Sequence, residues 1–293
     1  MEILRSISSL QTFLQKCRKQ NGVIGFVPTM GALHQGHLSL LSNSIKDNDY
    51  TICSIYINPK QFNKKEDLIS YPRTIGSDIE QLKQIHCDAL FLPSDSEMYH
   101  AADVSIVYDF THLFNMLEGE KRPGHFLGVV TIVHKLFNLI NPDKAYFGEK
   151  DYQQLQIIKL FVKNYNLPVE IISCATVRNS KGLALSSRNK NLKPHEAEAA
   201  LNLVKTLKKL KHDVSEFKRT YSNAPLKKQD LIRLKHLAIK IIIANPLIKL
   251  DYFEIIESEN FRFTDYIDYN KNYRALIAVY IGEIRLIDNI SIN

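Results

Sequence analysis

The sequence predicts an α/β fold: a Rossmann-like parallel sheet covered by helices on both faces, followed by a smaller C-terminal α+β domain. Three observations predict it. Short, uncharged, β-rich runs alternate with helical patterns through the first part of the chain. That alternation stops near Thr176. Two long helical patterns and then consecutive extended segments follow. The 293 residues accommodate two domains at roughly 100–200 residues each, with the boundary expected between residues 176 and 177.

Val23–Val27 is the first clear run. It is short and apolar throughout, which suits a strand buried on both faces. Pro28 and Gly31 are expected to break it, and a helical pattern runs over Gly36–Lys46. The same alternation places strands at Thr51–Ile57, Ala89–Leu92, Ala145–Phe147 and Val169–Cys174. Helices fall between them near Asp78–His86, Val129–Leu139 and Tyr152–Tyr165, and Val104–Tyr108 is a candidate further strand. Val177–Asn191, rich in Ser, Asn and Gly, reads as a hinge. Beyond it Pro194–Lys211 reads as a helix with Pro194 in its first turn, and Leu226–Ala244 as a second. Leu250–Glu257, Tyr273–Tyr280 and Glu283–Asp288 read as strands.

The bulk composition narrows the class. Hydrophobic residues are 45% and charged residues 24% of the chain, an ordinary globular share. The formal net charge is +7 and the pI about 9.0. Part of the excess lies in Lys205, Lys208, Lys209, Lys211, Lys218, Arg219, Lys227, Lys228, Arg233 and Lys235. A solvated Lys-rich helical face is preferred over nucleic-acid binding, because no aromatic platform interleaves them, although Tyr221 is near. Cys17, Cys53, Cys87 and Cys174 show no metal-ligand spacing and read as reduced, mostly buried thiols. The N-terminus lacks a basic-then-apolar signal layout, and no stretch of about 18 apolar residues is present. A soluble, cytoplasmic protein is expected, with no membrane and no nucleic acid among its partners.

His34-Gln35-Gly36-His37 is the most informative motif. It lies just past the carboxyl end of the first strand, at the first turn of a helix, where an open parallel sheet binds ligands. A helix start offers unpaired N–H groups and a partial positive charge, which favour phosphate. Two histidines three residues apart project from nearly one face and can donate to phosphate oxygens. Asn58-Pro59-Lys60-Gln61-Phe62 follows the next strand, and Gln61 offers both a donor and an acceptor. Gly148-Glu149-Lys150-Asp151 follows another strand end, with Lys150 a point charge beside it and Gln153 and Gln154 on the helix beyond. Ser186-Ser187-Arg188-Asn189, in the hinge, makes a compact anion clamp. Arg122-Pro123-Gly124-His125-Phe126 enters an apolar helix and again has the makings of anion recognition. Each has a plain alternative when taken alone: a βα turn, a helix cap, a polar linker, a satisfied loop histidine.

The strand followed by His-x-Gly-His resembles the HxGH nucleotidyl-transfer superfamily, whose members attack the α-phosphate of ATP and release pyrophosphate. The Ser186–Asn189 loop is similar in placement to that superfamily's second, Lys-Met-Ser-Lys-Ser-type motif. More closely, the ordered strings resemble the pantothenate synthetase, or pantoate–β-alanine ligase, family. They are Pro28–His37, Asn58–Phe62, Tyr71–Arg73, Arg122–Phe126, Tyr146–Leu155 and Gly182–Asn189. The agreement in order and spacing runs from about Val23 to Asn191. Leu185 stands where some members have Met, and Ser180-Lys181 where an acidic residue is usual before Gly182.

The resemblance implies ATP-dependent condensation of (R)-pantoate with β-alanine to pantothenate, AMP and pyrophosphate, through a pantoyl adenylate. It implies ATP as substrate with Mg²⁺ carried mainly on the triphosphate, and a homodimer. By the same resemblance His37, His34 and Lys150 are the catalytic residues. The ATP site draws on Met30, Gly31, Ala32, Leu33, His34, Gln35, Gly36 and His37. It continues with Gly148, Glu149, Lys150, Asp151, Val177, Leu185, Ser186, Ser187 and Arg188. Gln61 and Gln154 bind pantoate and β-alanine, and Met30, Phe62, Val129 and Val130 surround the gem-dimethyl group. Asp78 is a candidate Mg²⁺ ligand. The C-terminal domain and hinge are expected to act as a lid that shelters the mixed anhydride from water. Two other readings stand beside this one: a nucleotidyltransferase without a second acceptor site, and an RNA-binding protein resting only on the basic C-terminal helices.

Overall fold

The computed structural model describes residues 1–63, 65–99, 108, 111–222 and 224–292. Apart from Tyr108, the expected strand at Val104–Tyr108 lies outside the described residues. The chain divides into two compact units. The first is Met1–Glu149 with Gln153–Val177; the second is Lys150–Tyr152 with Arg178–Asn293. Lys150–Tyr152 thus group with the C-terminal part, although the sequence reading places them in the sheet domain.

The first unit holds strands β1 (Glu2–Leu4), β2 (Ile24–Thr29), β3 (Tyr50–Ile55), β4 (Ala89–Phe91), β5 (Lys144–Gly148) and β6 (Glu170–Cys174). They form one six-stranded sheet in the order β1-β4-β3-β2-β5-β6, parallel at every pairing. Its helices are α1 (Ile7–Lys19), α2 (Gln35–Asp47), α3 (Lys65–Ile69), α4 (Ile75–Gln84), α5 (Asp95–Met98), α6 (Glu118–Lys121), α7 (His125–Ile140) and α8 (Tyr152–Asn164). One core cluster joins Val27, Leu41, Cys53, Leu82, Leu90 and Tyr146. All four cysteines are free and buried. Burial pushes the Cys53 thiol well up and the Cys87 thiol to about 12, so neither is a ready nucleophile.

Two differences from the sequence reading have physical causes. Strand β1 and helix α1 lie ahead of the first element the sequence predicts. Glu2–Leu4 is too short to show a pattern, and its partner is β4, far away in sequence. Strand β2 also runs on through Pro28 to Thr29. The N–H groups of Tyr50 and Tyr56 bond to the carbonyls of Val23 and Thr29, and that of Asp143 to Ile24. The even-numbered residues therefore face β5, whose pairing with β2 ends at Phe26. The donor that Pro28 lacks breaks no ladder bond there.

The second unit packs α9 (Pro194–Thr220) and α10 (Lys228–Ile243) with an antiparallel sheet. Its strands are β7 (Ile248–Glu257), β8 (Arg262–Phe263), β9 (Tyr273–Ile281) and β10 (Ile284–Ser291), in the order β10-β9-β7-β8. Helix α9 outruns its expected end because Leu203, Leu207, Leu210 and Val214 continue one buried stripe. Several of the basic residues on α9 and α10 are ion-paired: Lys209 with Asp213, Arg219 with Glu216, Lys228 with Asp265, Arg233 with Asp230 and Lys235 with Glu254. Among the described residues no helix is long and apolar enough to cross a membrane.

Candidate active site

After the edge strand β1 the chain enters the middle of the sheet at β2, steps through β3 and β4 to one side, and then returns to β5 and β6 on the other. The crevice past the carboxyl ends of β2 and β5 is therefore the switch point at which such sheets bind ligands. His34-Gln35-Gly36-His37 follows β2, Asn58–Gln61 follows β3, and Gly148 ends β5.

His34 is the N-cap of α2. Its Nδ1 accepts the Gly36 N–H at 3.1 Å, and its own N–H donates to His37 Nδ1 at 3.3 Å. Both Nδ1 atoms are thus acceptors, so in the neutral imidazoles the proton sits on Nε2. The sequence reading places Gly36 in the ATP site. What its missing side chain demonstrably makes room for is the His34 ring, which lies 2.8 Å from where a Cβ would stand.

The loop before His34 is held by a buried carboxylate. Asp78 is 1% exposed. Its Oδ2 accepts the Ala32 N–H and its Oδ1 the Leu33 N–H, each at 2.9 Å, and Thr74 Oγ1 donates to Oδ1 at 3.1 Å. Ala32 sits at φ 50, a left-handed conformation that a non-glycine residue holds only when its surroundings enforce it. Ala32 and Leu33 are themselves buried, at 1% and 3% exposure. Asp78 thus fits a loop anchor and not the metal ligand expected from sequence, because its oxygens already face N–H and O–H donors. Among the described residues no group of three or more His, Cys, Asp or Glu could hold a metal ion.

After β3 the short helical turn Pro59–Gln61 lies against α7. Gly128 permits this approach, since a Cβ there would stand 2.4 Å from the Lys60 carbonyl oxygen. Asn58, 1% exposed, uses both ends of its amide. Oδ1 accepts from Lys60 N at 3.2 Å and from the Tyr99 hydroxyl at 2.8 Å. Nδ2 donates to Gly128 O at 3.0 Å and to Gln61 Oε1 at 3.3 Å. A backbone N–H can only donate and a carbonyl only accept, so the Asn58 amide has one possible orientation. Gln61 then receives a proton on its oxygen and presents Nε2–H, which contacts Met30 Sδ at 2.9 Å.

His125 has the satisfied, structural role. It is 6% exposed, its Nδ1 lies 2.9 Å from Gln61 O, and its Nε2 lies 3.0 Å from Arg122 Nη1. Guanidinium only donates, so Nε2 accepts and Nδ1–H pins the Gln61 backbone. Both ring nitrogens are thereby committed, against the anion-recognition reading. Gln154 stands half-buried on the first turn of α8, and Val129 and Val130 are buried on α7.

The second unit contains a cavity of its own whose lining includes Lys150, Ser186, Arg188, Asn189, Arg285 and Asp288. Lys150 and the Ser186–Arg188 loop, distant in sequence, therefore share one concavity, while Leu185 and Ser187 lie on the same loop outside that lining. Lys150 Nζ is 3.6 Å from Asp151 Oδ2, and Ser186 Oγ accepts the Arg188 N–H at 3.3 Å. Arg178 grips Asp288 through two bonds, 2.6 and 2.8 Å. Lys181, at the departure from the family pattern, pairs on the surface with Glu198 at 2.9 Å, a contact of little energetic weight.

Comparison with known proteins agrees with these motifs over the whole chain. The family model described as pantoate-beta-alanine ligase matches residues 2–291. A pantothenate synthetase of Azobacteroides pseudotrichonymphae is 43% identical over 293 residues, covering 99% of this chain and 100% of that protein. The crystal structure of a pantothenate synthetase from Thermus thermophilus superposes with a TM-score of 0.88 at 34% identity, covering 100% of this chain and 99% of that one. The Francisella tularensis pantoate-beta-alanine ligase, solved with beta-gamma ATP and beta-alanine, gives a TM-score of 0.75 at 35% identity, covering 100% of this chain and 98% of that one. A parallel sheet bearing His-x-Gly-His at its switch point, matched from end to end by such relatives, leaves one assignment: the chain belongs to the pantoate–beta-alanine ligase family.

Proposed function

We propose that this chain joins pantoate to β-alanine at the expense of ATP in two displacements, through a pantoyl adenylate. ATP-dependent ligation of these two substrates is the family's reaction. A carboxylate at neutral pH is a poor electrophile for an amine, because the group to be expelled is oxide. In the first step a pantoate carboxylate oxygen attacks the α-phosphorus, and the bond to the pyrophosphate oxygen breaks. In the second, the neutral amine of β-alanine attacks the acyl carbon, AMP departs with the C–O electron pair, and the amine proton is released.

The observation that carries this reading is the His34–His37 pair just past the carboxyl end of β2, with Nδ1 of each ring facing a backbone N–H. In the proposal they hydrogen-bond the phosphate oxygens as charge builds there, acting by positioning and charge stabilisation more than by giving up a proton. Lys150, Ser186, Ser187 and Arg188 hold the triphosphate, and Met30, Gly148, Asp151 and Val177 line the nucleotide site. The Gln61 Nε2–H donates to a pantoate oxygen, and Gln154 binds the same acid. Mg²⁺ enters with ATP as part of the substrate. Family resemblance alone supports a homodimer, and the four free, buried cysteines support a reducing, cytoplasmic location.

The test is pantoate-dependent exchange of labelled pyrophosphate into ATP without β-alanine. Exchange that requires pantoate is expected. Exchange only with a different carboxylic acid would reassign the substrate, and pantothenate formation without any exchange would remove the free adenylate.

A further inference from the structure

Strand β10 places two adjacent residues, Asp288 and Asn289, where each holds a different segment of the cavity that contains Lys150, Ser186 and Arg188. Both are buried, at 2% and 4% exposure. Asp288 Oδ2 and Oδ1 take Arg178 Nη1 and Nη2 at 2.6 and 2.8 Å, and Oδ1 also accepts the Asn289 N–H at 2.7 Å. The same guanidinium donates to Gly182 O at 3.1 Å and to Asn289 O at 3.3 Å. Arg178 opens the hinge loop and is bridged to Ala184, just before Ser186. The Asn289 side chain serves the other segment. Its Nδ2 donates to Lys150 O at 2.9 Å, and its Oδ1 accepts from Arg274 Nη1 at 2.6 Å. The Arg274 guanidinium in turn stacks on the Tyr152 ring, 4.0 Å from its centroid.

We infer that Asp288 and Asn289 are positioning residues for phosphate recognition: Asp288 fixes the Ser186–Arg188 loop through Arg178, Asn289 fixes Lys150 through its carbonyl, and β10 sets the spacing between them. The inference rests on the assignment of this cavity to the phosphate chain of ATP. A bidentate arginine–carboxylate pair is rigid and directional. An amide with one donor bond and one acceptor bond cannot rotate without losing both. Cations held in advance at a fixed spacing bind a polyphosphate without ordering cost, and that saving disappears when either anchor is cut.

Calorimetric binding of magnesium-ATP to the full chain and its variants tests the inference, with thermal unfolding as a check on the fold. Asn289→Ala weakens ATP binding about tenfold, the worth of one buried hydrogen bond, and leaves the KM for pantoate within about twofold. In a Lys150→Ala background Asn289→Ala has no further effect, because the group it positions is gone. Asp288→Asn weakens ATP binding by a similar factor and still weakens it further in the Lys150→Ala background, because its partner Arg178 belongs to the other segment. Where Asp288→Asn fails to fold, the Asn289 cycle decides alone. Unchanged ATP affinity in Asn289→Ala, or an equal loss with and without Lys150, overturns the positioning role. Absence of ATP binding and of pantoate-dependent exchange in the unmodified chain instead overturns the reaction assigned above, and this inference with it.

Discussion

The imidazole rings of His34 and His37 lie stacked, with centroids 4.1 Å apart and planes inclined by 28°. The Nδ1 atoms of both rings receive a backbone N–H, so ring orientation and helix cap form one unit.

Cap and donor are separable at His34. His34→Ala removes both. It costs about 1 kcal/mol of stability, as for other lost N-caps, and roughly 10²–10³ in pyrophosphate exchange, as for a lost oxyanion donor. His34→Asn restores an acceptor for the Gly36 N–H and so regains stability, while exchange stays low. Chemical denaturation and exchange assays on the two variants check this; near-normal exchange in His34→Asn would remove the ring from the chemistry.

Asp78→Asn leaves one of the Ala32 and Leu33 N–H groups facing an amide NH₂. The lost charge-assisted bond costs about 1.5–3 kcal/mol, and the loop carrying His34 relaxes from its left-handed turn. Exchange slows, while the Mg²⁺ concentration for half-maximal rate is unchanged. A large rise in that concentration would return Asp78 to the metal.

Most of this fold is legible in the sequence because buried parallel strands are apolar throughout and turns after them carry Gly and Pro. The runs around Phe26, Ile52 and Phe147 show that signature, and β1 is too short to. The motifs at the strand ends are legible as strings, but their division of labour is not. The partners that decide it stand 46 residues apart for Asp78 and Ala32, 64 for His125 and Gln61, and 110 for Arg178 and Asp288. No local pattern announces such pairs. A carboxylate four residues after Thr74 on a helix resembles any surface carboxylate, and Asp288-Asn289 reads as the end of an ordinary strand. Tyr99 carries no signal at all, although its hydroxyl makes the shortest bond to Asn58 and Lys60 Nζ stands 4.1 Å from its ring centroid.

The forced orientation of Asn58 makes Gln61 a donor, and donors select acceptors. Gln61→Glu keeps the oxygen that Asn58 Nδ2 bonds and replaces Nε2–H with a second oxygen. A carboxylate turned toward an anionic hydroxy acid lowers kcat/KM for pantoate by about a hundredfold or more, since a mispaired polar group is worth more than a missing contact. The KM for ATP stays within about twofold. Steady-state kinetics varying each substrate separate the two; an equal rise in both would mean that the turn has simply unfolded.

His134 offers a pH test independent of the chemistry. It lies on α7 beside the rings of Phe161, Tyr108 and Tyr165, at centroid distances of 5.2, 6.1 and 6.3 Å, with the Tyr108 hydroxyl 3.2 Å from its Nδ1. Burial lowers its pKa from the ordinary 6.5, because the apolar surroundings disfavour the charged ring. Just below that value the unfolded chain therefore binds a proton that the folded chain refuses, and stability rises with pH through the window. The contribution is fully present above 6.5 and is lost as the pH falls below it. In His134→Leu the ring is replaced by an apolar side chain and this component of the slope vanishes, while every other titrating group is shared with the parent. Urea midpoints measured at intervals from mildly acidic to neutral pH should converge for parent and variant in one direction only, the parent losing more on the acid side. Parallel profiles would mean that the folded ring takes up its proton as readily as the unfolded one, and that the aromatic cluster around it is open to water.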